Sequence, residues 1–125
     1  MSGPRFATLA GENYISLETF KKNGQGVQTP VWFVLHGDVI YVYTEADSWK
    51  VKRIRNNPRV RVAPCTIRGQ VTGPWIDGSA SIIDGDERRA ADRLLDQKYF
   101  LKRLGNLFTR LTGRERAWIR VSAAP

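Results

Sequence analysis

The feature that most constrains this chain is the shortness of the links between its first three β-type runs. Ile15 to Phe20 alternates apolar and polar residues, while Val27 to Leu35 and Val39 to Thr44 are rich in β-branched and aromatic residues. Only Lys21-Lys-Asn-Gly-Gln-Gly26 and His36-Gly37-Asp38 separate them. A parallel crossover needs a dozen or more residues, so these runs can pair only as an antiparallel meander. Pro30 sits inside the second run and cannot donate to a ladder. That strand is therefore expected to carry an edge, a bulge, or a place where something other than a strand meets its backbone.

The period then changes. Asp47 or Ser48 can cap a short helix with Val51, Ile54 and Arg55 at helical spacing, and Asn56-Asn57-Pro58 ends it, because the residue before proline avoids helical geometry. Val60, Val62 and Pro64 alternate with Arg61, Ala63 and Cys65 as a fourth strand, and Trp75 to Ile83 reads as a fifth, with Gly78 inside it. Asp84 or Asp86 opens a helix whose apolar face holds Ala91, Leu94 and Leu95. The stripe continues through Leu101, Leu104, Phe108 and Leu111, with a break expected at Gly105 and a stop at Gly113. Ala117 to Val121 is the sixth strand. This order predicts an α+β fold, a six-stranded antiparallel split β-barrel with a short helix after strand 3 and a helical stretch before the last strand. Residues 1–13 are expected to form a loose lead-in and residues 14–125 the barrel domain. So narrow a barrel fills with its own side chains, so a ligand belongs outside it, in a groove shared between two protomers.

The chain has 125 residues, of which 42% are hydrophobic, enough for one domain with a real core. The longest apolar run, Pro30 to Leu35, is far shorter than the roughly 18 residues of a membrane span, and Met1-Ser-Gly-Pro-Arg5 lacks the apolar stretch of a secretory signal; a cytoplasmic protein is expected. One cysteine and one histidine predict neither a disulfide nor a metal site. Twenty Lys and Arg against twelve Asp and Glu leave a net charge of +8, which favours anionic partners. Six of these cations (Lys50, Lys52, Arg53, Arg55, Arg59, Arg61) occur between positions 50 and 61 without an acidic residue, either as a solvated face or as an anion site.

Thr44 ends a strand, Ser48 precedes a helix, and Lys50 and Lys52 follow. Hydroxyls, an ammonium and helix N-terminal amides together suit a phosphate; alternatively Ser48 is only a cap and the lysines are solvated. Thr29 to Val34 supplies an apolar ridge one strand away, with Trp32 as either core residue or ligand platform. Ridge and corner together fit a flat heterocycle with an anionic tail.

The run Pro30-Val-Trp-Phe-Val34, then Tyr43-Thr44, then Ala46-Asp-Ser48-x-Lys50-Val-Lys52-Arg53-x-Arg55-x-Asn57-Pro58-Arg59-Val60 resembles the flavin/deazaflavin split-barrel oxidoreductases, relatives of pyridoxamine-phosphate oxidase. The continuation Arg61-Val-Ala-Pro64-Cys65 with Arg68-Gly69 is similar to the branch that uses the deazaflavin F420. The resemblance spans about residues 14 to 122. It implies a homodimer with cofactor sites between protomers. Pro30, Val31, Trp32 and Phe33 would line the ring system, partly through backbone groups. Thr44, Ser48 and Lys50 would hold the phosphate, with Val51 and Lys52 beside them, and Arg55, more loosely Arg53, would meet an acidic tail.

The same resemblance implies an F420H2-dependent reductase acting on a small electron-poor organic substrate, with FMN as the alternative cofactor. Trp49 departs from the family pattern, which places a small residue there, or a basic one in FMN-using members. No residue stands out as a general acid: Tyr99, His36 and Asp77 are the candidates, Asp84, Asp86 and Glu87 read as helix-start residues, and Cys65 as buried and inert. A non-enzymatic basic module that binds nucleic acid or carries a ligand is the reading from another class. The wide sequence spacing of Trp32, Trp49, Trp75 and Trp118 weighs against it.

Overall fold

The structure is a computed structural model that describes residues 6–98 and 116–124. In chain order these form β1 (Tyr14–Phe20), β2 (Gly26–His36), β3 (Val39–Glu45), α1 (Trp49–Asn56), β4 (Arg59–Cys65), β5 (Ile76–Ile83), α2 (Gly85–Lys98) and β6 (Arg116–Ala123). The strands close into an antiparallel barrel in the order β1-β2-β3-β6-β5-β4. The six strands, the short helix and the meander follow the sequence reading. The apolar stripe from Leu101 to Leu111, with Gly105, Gly113 and Tyr99, lies outside the described residues.

Alternation along the strands decides what fills the barrel. Ile15 and Leu17, Phe33, Ile40 and Val42, Val60 and Val62, and Ile119 and Val121 point into one buried cluster. Residues of opposite parity (Val34, Tyr41, Ile83, Trp118) form a second cluster on the outer face, against Ala91 and Leu95 of α2. Helix α1 turns Val51 and Ile54 inward, three residues apart on one face, and packs beside β1 and β5.

Two details refine the sequence reading. Of the segment before β1, residues 6–13 are described, and there a single 3₁₀ turn at Ala7–Leu9 accompanies the seating of Phe6 and Leu9 in the barrel core, both fully buried. β-periodicity could not assign this apolar surface, which joins the core cluster. Secondly, β5 starts at Ile76, leaving Trp75 outside the ladder with the Arg61 guanidinium carbon 4.7 Å from its ring centroid.

Gly78 shows how tightly β5 and β6 approach: a Cβ there would lie 2.8 Å from the Ser122 carbonyl oxygen and 2.9 Å from Val121 Cγ1. The outer side of β6 is tied to α2 by Arg120, whose Nη1 donates to both Glu87 carboxylate oxygens at 2.8 and 3.0 Å, while the Tyr41 hydroxyl donates to Oε2 at 3.0 Å. Glu87 is thus more than a helix-start residue.

Candidate functional site: a cleft where two strands part

The register of β2 and β3 locates the site. Their ladder joins His36 to Val39, Leu35 to Ile40, Val34 to Tyr41 and Phe33 to Val42, and stops there. Continued by the same register, it would join Trp32 to Tyr43, Val31 to Thr44 and Pro30 to Glu45. Instead β2 continues along β1, with Pro30 opposite Ser16, while β3 continues along β6, with Glu45 opposite Arg116. The two strands part, and the gap is a cleft of about 430 Å³ lined by those same six residues together with Ser48, Lys50 and Arg116. Pro30 lies on the parting strand and has no N–H to give a ladder. Of the edge, the bulge and the non-strand contact that its position in the sequence allowed, the strand shows an edge on its β3 side.

Ser48 occupies the N-cap position of α1, but its side chain makes no capping hydrogen bond. Its Oγ instead lies 3.5 Å from Thr44 Oγ1, so the two hydroxyls face each other at one corner of the cleft. Lys50 lines the same corner and is half-buried. Burial pushes its ammonium below the ordinary lysine range, the Arg53 charge adds to this, and Glu45 opposes it. A charged amine held under those conditions gains from an incoming anion.

Tyr43 of β3 and Arg116 of β6 line the cleft as well. Arg116 Nε donates to the Tyr43 hydroxyl, and Tyr43 meets Trp118 edge-on, ring centroids 5.1 Å apart. Arg88 Nη2 donates to the Arg116 carbonyl oxygen at 2.9 Å, which fixes the start of β6 against α2. Arg116 is thus a second cation lining the cleft with Lys50.

Of the ten residues singled out from the sequence, the cleft brings together Pro30, Val31, Trp32, Thr44, Ser48 and Lys50. Four lie elsewhere. Phe33 is fully buried in the core, where Lys98 Nζ lies 3.5 Å from its ring centroid and donates to its carbonyl oxygen at 2.9 Å. Val51 is fully buried beneath α1. Lys52 lies on the far side of α1 with its Nζ 4.4 Å from the Trp49 ring centroid, and Arg55 is exposed. Arg53 donates from Nε to Thr19 Oγ1 at 2.7 Å. Sequence reasoning missed Glu45 and Arg116 and took Tyr43 only as part of a motif. The signal for Tyr43 and Glu45 was their place beyond the last β2–β3 pair; Arg116 comes from a distant strand and had none.

Outside the cleft, Cys65 is buried, its thiol pushed up first by burial and then by the Glu12 charge. His36 is exposed and stacks on Tyr41 with centroids 6.4 Å apart. Among the described residues no cluster of three His, Cys, Asp or Glu is placed to hold a metal, and no helix is long and apolar enough to cross a membrane.

The family model of pyridoxamine 5′-phosphate oxidase matches residues 5–124. The chain belongs to that family, whose members are generally flavin-binding oxidoreductases. No curated protein matches the chain by sequence. Solved structures with the same fold include a putative pyridoxamine 5′-phosphate oxidase from Listeria innocua (17% identity, 96% of this chain and 90% of that one, TM-score 0.65). The heme storage protein HutZ from Vibrio cholerae is another (13% identity, 92% and 84%, TM-score 0.70). A third is a putative 5-nitroimidazole antibiotic resistance protein from Bacteroides thetaiotaomicron (11% identity, 99% and 81%, TM-score 0.71).

Proposed function

We propose that this protein is an F420-binding oxidoreductase that uses the reduced deazaflavin to reduce a small, electron-poor organic substrate, and that it works as a homodimer. The observation that carries the reading is the cleft itself, which joins the Pro30–Trp32 ridge to the Thr44–Ser48–Lys50 corner. The fit to a flat ring with a phosphate is chemical. Ser48 Oγ is not spent on the helix cap, and the half-buried Lys50 ammonium sits beside it.

In this reading Thr44, Ser48 and Lys50 hold the phosphate through hydroxyl and ammonium donors. Backbone groups of Val31 and Trp32 and the Trp32 side chain orient the ring, and Arg116 adds positive potential at the cleft. When bound, F420H2 supplies a hydride from C5; the chain's residues position the ring and exclude water from the β2–β3 gap. The net charge of +8 favours F420, with its acidic tail, over FMN, and in this reading Arg55, exposed on α1 outside the cleft, meets such a tail. FMN remains the alternative, because the phosphate corner serves both. The cleft lies on the outside of a small barrel, and a partner subunit would complete it.

Amine footprinting tests the site. F420 should shield Lys50 from acylation while leaving Lys21 and Lys22 reactive; equal labelling of Lys50 with and without cofactor overturns the assignment. Sedimentation should give twice the chain mass, and a monomer that binds cofactor fully overturns the dimer.

A further inference from the structure

Helix α1 separates two clefts. Ser48 and Lys50 face the first. On its other side a larger recess of about 570 Å³ opens between α1 and the β1–β2 hairpin. Its floor is apolar, made by Phe20, Val27 and Trp49, and Trp49 is 69% exposed, the most exposed large hydrophobic side chain among the described residues. Its rim is cationic: Lys21, Lys22, Lys52 and Arg53 converge on it, and among the described residues no carboxylate lines it. The first cleft, by contrast, holds Glu45 against its cations.

Four like charges around an apolar floor repel one another, and water is a poor partner for an open indole. Lys52 already leans its Nζ over the Trp49 ring at 4.4 Å, a partial substitute for a partner. An occupant that places an aromatic ring on Trp49 and negative charge among the lysines would satisfy both features together. The volume is in the range of small-molecule sites.

We infer that this recess is a second ligand site, separate from the strand-parting cleft, for a small aromatic polyanion of the nucleoside polyphosphate class. The apolar floor distinguishes it from a groove for a flexible acidic chain, which has no use for Phe20, Val27 and Trp49. Ring stacking displaces the Lys52 ammonium from the indole face toward the phosphates, so one rearrangement serves both interactions.

The test is a tryptophan-fluorescence titration of the full chain with ATP, adenosine and inorganic tripolyphosphate, with and without saturating F420 or FMN. ATP should quench the signal, with adenosine and tripolyphosphate each at least about tenfold weaker. W49L should abolish the quench. K21A/K22A should raise the ATP Kd about tenfold or more, with an unchanged circular dichroism spectrum. The ATP Kd should not move when the first cleft is loaded. Tripolyphosphate binding as tightly as ATP would reduce the site to bare charge attraction and overturn the proposal. Displacement of ATP by F420 would assign the recess to the cofactor. A single-stranded oligonucleotide that outcompetes ATP, with the steep salt dependence of many phosphate contacts, would replace the small ligand with a polymer. If F420 and FMN both fail to bind while ATP binds as described, the oxidoreductase reading falls and this site stands.

Discussion

Replacing Lys50 with methionine should move affinity and stability in opposite directions. In the cofactor-free protein the Lys50 ammonium is half-buried, and burial, helped by the Arg53 charge, disfavours its charged form more than Glu45 supports it. Methionine keeps the length of the stem and removes that penalty, so Lys50→Met should melt no lower than the wild type at neutral pH. The sign follows from proton linkage. A lysine whose folded pKa is depressed costs stability while both states are protonated, and the cost shrinks as pH rises toward its unfolded value of about 10.5. The advantage of the variant should therefore be largest near neutrality and fade in alkali. Binding goes the other way. Loss of a charge-assisted hydrogen bond to phosphate costs roughly 1.5–3 kcal/mol, or about 10- to 150-fold in Kd. Part of the ammonium's dehydration has already occurred in the free protein, which favours the upper half of that range. Calorimetric titration with F420 and thermal melts from pH 7 to 10 read the two effects. A variant that melts lower and binds as tightly as the wild type would refute the reasoning, since Lys50 would then be a structural residue beside an unrelated groove.

Three further substitutions probe separate parts of the account. Ser48→Ala should change stability by less than about 0.5 kcal/mol, because no cap bond is lost, yet weaken cofactor binding about 2- to 10-fold; a drop of about 1 kcal/mol, usual for a lost cap, would contradict this. Gly78→Ala drives a methyl group against the Ser122 carbonyl and Val121, and should cost about 1–3 kcal/mol in urea denaturation; an unchanged midpoint would show that β5 and β6 can separate freely. Burial lowers the Lys98 amine to about 8 against partial opposition from Glu12, so its contribution to stability should rise as pH climbs from about 8 toward 10.5. Lys98→Met should lack that rise in Tm, and parallel pH profiles for the two proteins would contradict it.

The strands were legible because period-two alternation, short turns and the Asn57-Pro58 stop are local signals. The cleft was legible in part, since Pro30 marks a strand that must leave a ladder and the Ser48–Lys50 segment carries its donors within three residues. The misplacements have a simple cause. Lys50 and Lys52 are two positions apart on a helix, about 200° around its axis, and so cannot serve one corner; Val51, a further 100° round from Lys50, turns into the core. In the strand, Phe33 alternates to the interior while its neighbour Trp32 faces out toward the cleft. Arg116 was invisible because only the β3–β6 register brings it opposite Glu45, and Phe6 and Leu9 because a single turn leaves no periodicity to read.

The central claim is that the gap between β2 and β3 binds a deazaflavin. Its most direct test is equilibrium titration of the purified apo-protein with F420 and FMN in parallel. The account predicts one F420 per chain, bound more tightly than FMN and lost together with Lys50. Tighter binding of FMN would contradict the cofactor assignment, and failure of both to bind would contradict the site.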